Sequence, residues 1–175
     1  MAAGDLSFRA ARLEDVDEVV DLVNGAYRGD RSKRGWTTEA DLLDGQRTDA
    51  AEVASLIEQP GSIILLGERN QTLIASVLLQ QDEASAYLGM LVVDPEQQAS
   101  GLGKQLMRAA EEFVQQTWGA SRVWMTVLVQ RGELIAFYER RGYRRTGTFE
   151  PWPSEALSVP RVDGLKFEVL EKDLT

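Results

Sequence analysis

A block of strand-forming sequence occupies the middle of the chain and sets the kind of sheet that it can form. Residues 62–66 and 73–79 are rich in apolar and β-branched side chains, and a turn-forming cluster at residues 67–70 separates them. This pattern predicts an antiparallel hairpin, and residues 84–93 predict a third strand after it. Gly89 inside the third strand indicates a β-bulge or a close approach to the backbone.

Helical and strand patterns alternate irregularly around this block. Apolar residues recur at helical spacing with acids in the first turn at residues 16–26, and further helices are predicted at residues 37–43, 49–58, 102–118 and 133–140. Other strands are predicted at residues 6–10, 123–129, 143–149 and 165–170. The order of these elements predicts a mixed α/β (α+β) fold with a largely antiparallel sheet, in a single domain over residues 1–175.

The composition removes several classes of chemistry. The 175 residues include no Cys and no His, which excludes disulfides, thiolate or imidazole metal sites, Cys nucleophiles and a His base. A net charge of −9 disfavours nucleic acid and anionic membranes as partners, and weakly favours cationic or neutral ligands. No apolar stretch has the length of a signal peptide or membrane span, so we expect a cytoplasmic protein. Because the chain has no Cys and no His, we also expect no metal.

A glycine-containing turn follows the third predicted strand and leads into an amphipathic helix. Gly101 and Gly103 lie in this turn, a position where free backbone N–H groups bind anions such as pyrophosphate. A Walker A motif does not match, because Gln98 and Gln105 stand where it needs Gly and Ser or Thr. A dinucleotide fingerprint does not match either, because Leu106 stands in place of its last Gly. On its own, the turn is equally compatible with a purely structural role.

A second motif, Phe-Tyr-Glu-Arg-Arg-Gly-Tyr at residues 137–143, makes the pattern specific. Together with Gln-Ala-Ser-Gly-Leu-Gly at residues 98–103, it resembles the GNAT superfamily of acyl-CoA-dependent N-acetyltransferases. The first segment resembles the family's pyrophosphate loop and the second its later helix and turn. Ala99 departs from the glycine that many members have there. The resemblance is best over residues 62–149 and implies a GNAT-like central sheet of about seven strands, flanked by helices on both faces, with a splayed central strand pair.

The resemblance also implies a reaction and a set of residues. An acetyl group would pass from acetyl-CoA to a primary amine of a small molecule or peptide by direct attack in a ternary complex, without an acyl-enzyme. Tyr138 would donate a proton to the departing thiolate, which suits a hydroxyl with an ordinary pKa of about 10. The residues that would bind coenzyme A are Leu91, Val92, Val93, Gln98, Ala99, Ser100, Gly101, Leu102, Gly103 and Lys104.

The acceptor site and the base are less constrained. The loop at residues 27–37 and the segment after it suggest Tyr27, Trp36 and Asp41 as substrate-binding residues, with residues 151–153 as an opposite wall. Without His, the amine's proton must leave through a carboxylate, a water chain or solvent, and neither Glu83 nor Glu139 is well placed.

Several alternatives stay open. Tyr138 is equally typical of a core aromatic, and the loop at residues 27–37 of an exposed charged segment with Trp36 in the core. The arginines at 140, 141, 144 and 145 suit either the 3′-phosphate of coenzyme A or a solvated turn. A CoA-binding module without catalytic activity is the alternative function. Homodimer formation is an option that the resemblance leaves open.

Overall fold

The structure is a computed structural model that describes residues 6–28, 33, 38–97, 101–153 and 156–174. The strands are β1 (Leu6–Ala10), β2 (Leu43–Asp44), β3 (Ser62–Arg69), β4 (Thr72–Asp82), β5 (Ser85–Val93), β6 (Arg122–Leu128), β7 (Arg144–Pro151), β8 (Val159–Pro160) and β9 (Lys166–Asp173). The helices are α1 (Val16–Tyr27), α2 (Ala50–Glu58), α3 (Leu102–Trp118) and α4 (Gly132–Arg140), with a 3₁₀ turn at Leu13–Asp15 before α1.

Seven of the described strands form one sheet in the order β1-β3-β4-β5-β6-β9-β7, and β2 pairs with β8 in a separate ribbon. Neighbours in the large sheet are antiparallel except for β5 and β6, which are parallel. The predicted mixed, largely antiparallel sheet of about seven strands is therefore confirmed.

The hairpin β3–β4 is present, but its turn is shorter than predicted. Asn70 and Gln71 form it with φ of 52° and 64°. Positive φ at both central residues is typical of the two-residue turn whose twist matches the flanking strands. Gly67 lies within β3, where an added Cβ would be 3.2 Å from the Cβ of Ala75. The turn predicted at residues 67–70 is therefore wrong, because residues 67–69 belong to β3. Gly67 permits close packing there inside the sheet.

Strands β5 and β6 separate after a short paired segment. They pair in register only from Ser85 with Arg122 to Tyr87 with Trp124. Just beyond, the register of β5 against β4 shifts, and Met90 has φ of 45°. A bulge bends a strand, so this one turns β5 away from β6. The predicted splayed pair and the irregularity near Gly89 are both confirmed.

The helices cover both faces of the sheet. On one face, α1 and α2 pack through Val19, Val23 and Val53. On the other, α3 and α4 pack through residues that include Leu106 and Ile135. Complete burial of an aliphatic side chain of this size stabilises a fold by about 1.5–3 kcal/mol. The two cores therefore fix α1, α3 and α4 around the gap between β5 and β6.

The helix predicted at residues 37–43 is wrong where the structure describes it. Residues 39–42 form turns, and Leu43 pairs with Pro160 in the β2–β8 ribbon. The hydroxyl oxygen of Thr38 accepts from the N–H of Ala40 at 3.0 Å. Such a bond is typical of a helix N-cap, but only one turn forms, because the carbonyl oxygen of Leu42 accepts from the N–H of Arg161 at 2.8 Å. Across the described ranges, no helix is both long and apolar enough to cross a membrane.

Candidate active site

A groove lies where β5 leaves β6, between the end of β5, the N-terminal end of α3 and one side of α4. It encloses about 150 Å³. Its walls include the predicted residues Leu91, Val92, Val93, Gly101, Gly103 and Lys104 together with Tyr138. The structure thus brings two distant sequence motifs to one groove.

The start of α3 is shaped for close approach of a ligand. Gly101 is its N-cap residue with φ of 77°, and a Cβ there would meet no atom within 4 Å. Gly103 also faces the groove, where an added Cβ would lie 3.6 Å from Cζ of Phe137. The first N–H groups of a helix have no partner within the helix and attract anions. The side chain of Leu102 is in the core, and Leu102 is not among the residues that line the groove.

The described part of the α3 turn therefore fits a pyrophosphate. Gln98, Ala99 and Ser100, the remainder of the predicted loop, lie outside the described residues. Within the described ranges, no group of three or more acidic side chains is arranged to hold a metal ion.

Of the four arginines considered for phosphate binding, Arg141 is the one that lines the groove. Its guanidinium carbon lies 4.8 Å from the centre of the Phe137 ring. Arg144 instead forms ion pairs with Glu171 and Asp173, and Arg145 pairs with Glu168 on the neighbouring strand. Arg140 is exposed and is not among the residues that line the groove.

A larger cavity of about 420 Å³ lies on the other side of the same opening. The groove and this cavity share five described lining residues: Tyr27, Leu91, Arg131, Leu134 and Tyr138. Pro151, Trp152 and Pro153 line the larger cavity, and the Trp152 ring stacks on Phe167 at a centroid distance of 5.7 Å. The segment proposed as an opposite wall is thus located at this cavity.

Tyr138 lies at the junction of the groove and the cavity. It is 5% exposed, and its ring packs edge-on against Phe137 and Tyr143 at 5.6 and 6.0 Å. Its hydroxyl makes no hydrogen bond to a described residue. Burial raises the pKa of Tyr138 above its ordinary value of 10.0, because the interior disfavours the phenolate. At neutral pH the hydroxyl therefore keeps its proton.

Tyr27 also lines both spaces. Its hydroxyl donates to the carbonyl oxygen of Leu91 at 3.0 Å. The guanidinium carbons of Arg28, Arg47 and Arg131 lie 5.9, 5.5 and 5.9 Å from the centre of its ring. Burial raises the pKa of Tyr27, so this hydroxyl is a hydrogen-bond donor at neutral pH.

A buried ion cluster that the sequence did not reveal forms part of the larger cavity. Arg28 donates to Oε2 of Glu39 at 2.6 Å, and Arg131 donates to Oε1 at 2.9 Å. Arg28 also donates to the hydroxyl of Ser158, which in turn donates to the carbonyl oxygen of Gln46 at 2.7 Å. Burial lowers the pKa of Arg28. The cluster joins residues whose sequence separations, 11 between Arg28 and Glu39 and 92 between Glu39 and Arg131, follow no periodic pattern.

The other predicted acceptor and base residues do not meet at this site. Asp41 is exposed, its carboxylate lies 3.4 Å from Nζ of Lys33, and it lines neither space. Trp36 lies outside the described residues. Glu83 and Glu139 line neither space, whereas the exposed carboxylates of Glu52 and Glu150 line the larger cavity.

The backbone of the chain is similar to those of several solved acetyltransferase structures. Its backbone resembles the ribosomal-protein-S18-alanine N-acetyltransferase from Escherichia coli, with a TM-score of 0.71, 15% identity and coverage of 98% of this chain and 95% of that one. It also resembles a GNAT-family acetyltransferase from Staphylococcus aureus Mu50, with a TM-score of 0.68, 14% identity and coverage of 98% and 100%.

A third similar structure is the spermidine/spermine N-acetyltransferase from Vibrio cholerae, with a TM-score of 0.66, 17% identity and coverage of 96% and 92%. At such identities the similarity establishes the fold alone. No curated protein matches the chain in sequence.

The sequence model of the acetyltransferase (GNAT) family matches residues 17–143, and the chain belongs to that family. Members of this family are acetyltransferases that generally use acetyl-CoA.

Proposed function

We propose that the protein is an N-acetyltransferase that transfers the acetyl group of acetyl-CoA to a primary amine of a small molecule or peptide, in one ternary complex. The observation that carries the proposal is the position of Tyr138, whose side chain lines both the groove and the larger cavity. A group at this junction can contact the donor from one side and the acceptor from the other.

The groove residues suit the arm and the phosphates of coenzyme A. The backbone of β5 beyond Tyr87 is not paired with β6, so Leu91 and Val93 lie on a strand edge at which an extended ligand can add hydrogen bonds. The N–H groups at the start of α3 would bind the pyrophosphate, with Gly101 and Gly103 permitting close approach. Lys104 and Arg141 line the same groove and add positive charge.

Acetyl-CoA supplies an acetyl group that is already activated as a thioester. The chain must then hold the amine close to it and provide a proton where negative charge develops on sulfur. The Oη of Tyr138 is our candidate for that proton, since burial keeps it protonated. The proton that the amine loses would pass to solvent at the mouth of the cavity, where the described carboxylates are Glu52 and Glu150.

Calorimetric titration with acetyl-CoA, followed by a thiol-release assay over a panel of primary amines, tests the proposal. We expect saturable binding and acceptor-dependent release of free thiol. Absence of acetyl-CoA binding at millimolar concentration would overturn it. Binding without thiol release for any amino acid, polyamine, aminoglycoside or peptide would favour the alternative of a non-catalytic CoA-binding module.

A further inference from the structure

The larger cavity has a charge distribution that differs from that of the whole chain. The protein carries a net charge of −9. Among the described residues that line this cavity, however, the inner charged groups are Arg28, Arg131, Arg47 and Glu39. Three guanidinium groups thus accompany one carboxylate around the ring of Tyr27.

The acidic residues of the cavity are placed differently from the basic ones. Glu52 and Glu150 are exposed, whereas Arg28, Glu39 and Arg131 are buried. Solvent and salt screen charges at an exposed rim more strongly than charges in the interior. The inner part of the cavity therefore favours a negative group and disfavours a second positive one.

Arg47 is the side chain best placed to bind that negative group. It lines the cavity, is half-buried, and packs against the Tyr27 ring. The two oxygens of Glu39 accept from Arg28 and Arg131, and Arg47 forms no ion pair with a described residue. A guanidinium offers a planar pair of donors that matches the two oxygens of a carboxylate.

The position of Arg47 also fits the reaction geometry. Its guanidinium lies against Tyr27, and Tyr27 and Tyr138 both line the opening shared by the two spaces. A cavity of about 420 Å³ is large enough for an amino acid. An acceptor bound at Arg47 through an acid group can therefore extend its amine toward Tyr138.

We infer that the acceptor is a primary amine that also carries a carboxylate, and that Arg47 binds this carboxylate. The inference rests on the proposed function, because it assigns a substrate class to the same site. Glu39 holds Arg28 and Arg131 in place, and the combined positive charge strengthens the attraction for the acid group. Polyamines are disfavoured, since a second ammonium would face the same guanidinium groups.

The test compares matched acceptors on the wild-type protein. The common L-amino acids and β-alanine are assayed for thiol release beside their carboxamides, with spermidine as the polycationic probe. We expect the best acid to have a kcat/KM at least about tenfold above that of its amide, as a hydrogen-bonded carboxylate warrants.

Two variants of Arg47 test whether this side chain causes the preference for the acid over its amide. Arg47→Gln should raise KM for the best acid about tenfold to a hundredfold, with little change for its amide or in acetyl-CoA affinity. Arg47→Lys should keep part of the preference. The amine of an acid and that of its amide differ in basicity. This difference cancels when the ratio of their kcat/KM values is compared between wild type and variant. Arg122→Gln is the matched control, since Arg122 pairs with Glu171 and Asp173 away from the cavity.

The outcomes separate the two proposals. If acetyl-CoA does not bind, the proposed function fails. If acetyl-CoA binds but amides or spermidine are preferred, or no acid is acetylated, the substrate assignment is overturned and the cofactor assignment stands. An acid preference that Arg47→Gln leaves unchanged in a folded variant would also overturn the role of Arg47.

Discussion

The hydroxyl of Tyr27 donates a hydrogen bond to the carbonyl oxygen of Leu91, across a distance of 3.0 Å. This bond joins the last residue of α1 to β5 just after its bulge. Tyr27 therefore fixes the strand segment at which the groove begins, in addition to forming part of the cavity wall.

Replacing Tyr27 with Phe tests this connection. We expect a loss of about 1 kcal/mol in the free energy of unfolding, because one intramolecular hydrogen bond disappears. Acetyl-CoA should bind about threefold to tenfold more weakly, since β5 is less firmly held. Urea unfolding and calorimetric titration measure the two effects.

Tyr143→Phe provides a matched control for that variant. The Tyr143 hydroxyl donates to Glu111 at 3.1 Å and lines neither the groove nor the larger cavity. It should lower stability by a similar amount while leaving acetyl-CoA affinity unchanged. Equal loss of affinity in both variants would contradict a specific role for Tyr27.

Tyr138→Phe should lower kcat about a hundredfold, with acetyl-CoA affinity nearly unchanged, because a general acid typically contributes that factor or more. The ring and its packing against Phe137 and Tyr143 are retained, so the fold should persist. Single-turnover kinetics and calorimetry with acetyl-CoA measure the two quantities. Wild-type turnover at every pH would remove Tyr138 from the mechanism.

The pH dependence of kcat follows from the same residue. Burial raises the pKa of Tyr138, so its proton is present at neutral pH and is lost only as the pH rises through that raised value. We therefore expect no alkaline decline of kcat below about pH 10, the ordinary pKa of tyrosine. A steady-state pH profile with saturating substrates checks this, and a decline beginning near neutral pH would contradict Tyr138 as the acid.

Gly89→Ala should disturb the wall of the larger cavity. An added Cβ would lie 2.6 Å from the hydroxyl oxygen of Tyr87, whose ring packs against Trp124 at 4.7 Å. Relieving that overlap must move Tyr87, at a cost of about 1–3 kcal/mol in the free energy of unfolding. Chemical denaturation measures the cost. Gly132→Ala, where a Cβ would meet no atom within 4 Å, should be nearly neutral.

Asp15 should contribute stability that depends on pH. Bidentate hydrogen bonds from Arg9, both at 2.8 Å, lower the pKa of Asp15 from 3.8 to about 2. A carboxyl whose pKa is lowered by folding stabilises the native state above its unfolded pKa and loses that contribution as the pH falls through the folded value. Asp15→Asn should thus cost about 1–2 kcal/mol near neutral pH and progressively less from pH 3.8 toward about 2.

Urea denaturation over that pH range measures the difference for Asp15→Asn. Asp17→Asn is the control, because it changes an exposed acid in the next turn and should alter the free energy of unfolding by no more than about 0.5 kcal/mol. A destabilisation by Asp15→Asn that is the same at all pH values would contradict the ion-pair explanation.

The elements that were predictable from the sequence are those whose structure a local pattern decides. The β-branched runs of β3 and β4 and the apolar spacing of α1 have only one favourable way to bury their side chains. Similarly, Gly101 marks a backbone conformation that few other residues adopt, with φ of 77°. The helix that carries Tyr138 was likewise predictable, because the helix and the turn that ends it are adjacent in sequence.

The residues of the larger cavity were harder to predict for a physical reason. Glu39 was expected in the first turn of a helix, but that turn ends at Leu42, where the chain enters the β2–β8 ribbon. Its carboxylate then meets Arg28 and Arg131, which come from the end of α1 and the start of α4. Tertiary packing alone brings such separate segments together, and residue spacing carries no sign of it.

The short pairing of β5 with β6 has a consequence for how the molecule holds together. The two strands pair in register only over residues 85–87 and 122–124. The large sheet therefore consists of two smaller sheets joined at one end, β1-β3-β4-β5 and β6-β9-β7. A ligand that forms hydrogen bonds with the unpaired part of β5 and also contacts α3 and α4 would connect these two halves. Amide hydrogen exchange should consequently slow along both edges of the seam when acetyl-CoA is present, and thermal stability should rise with its concentration.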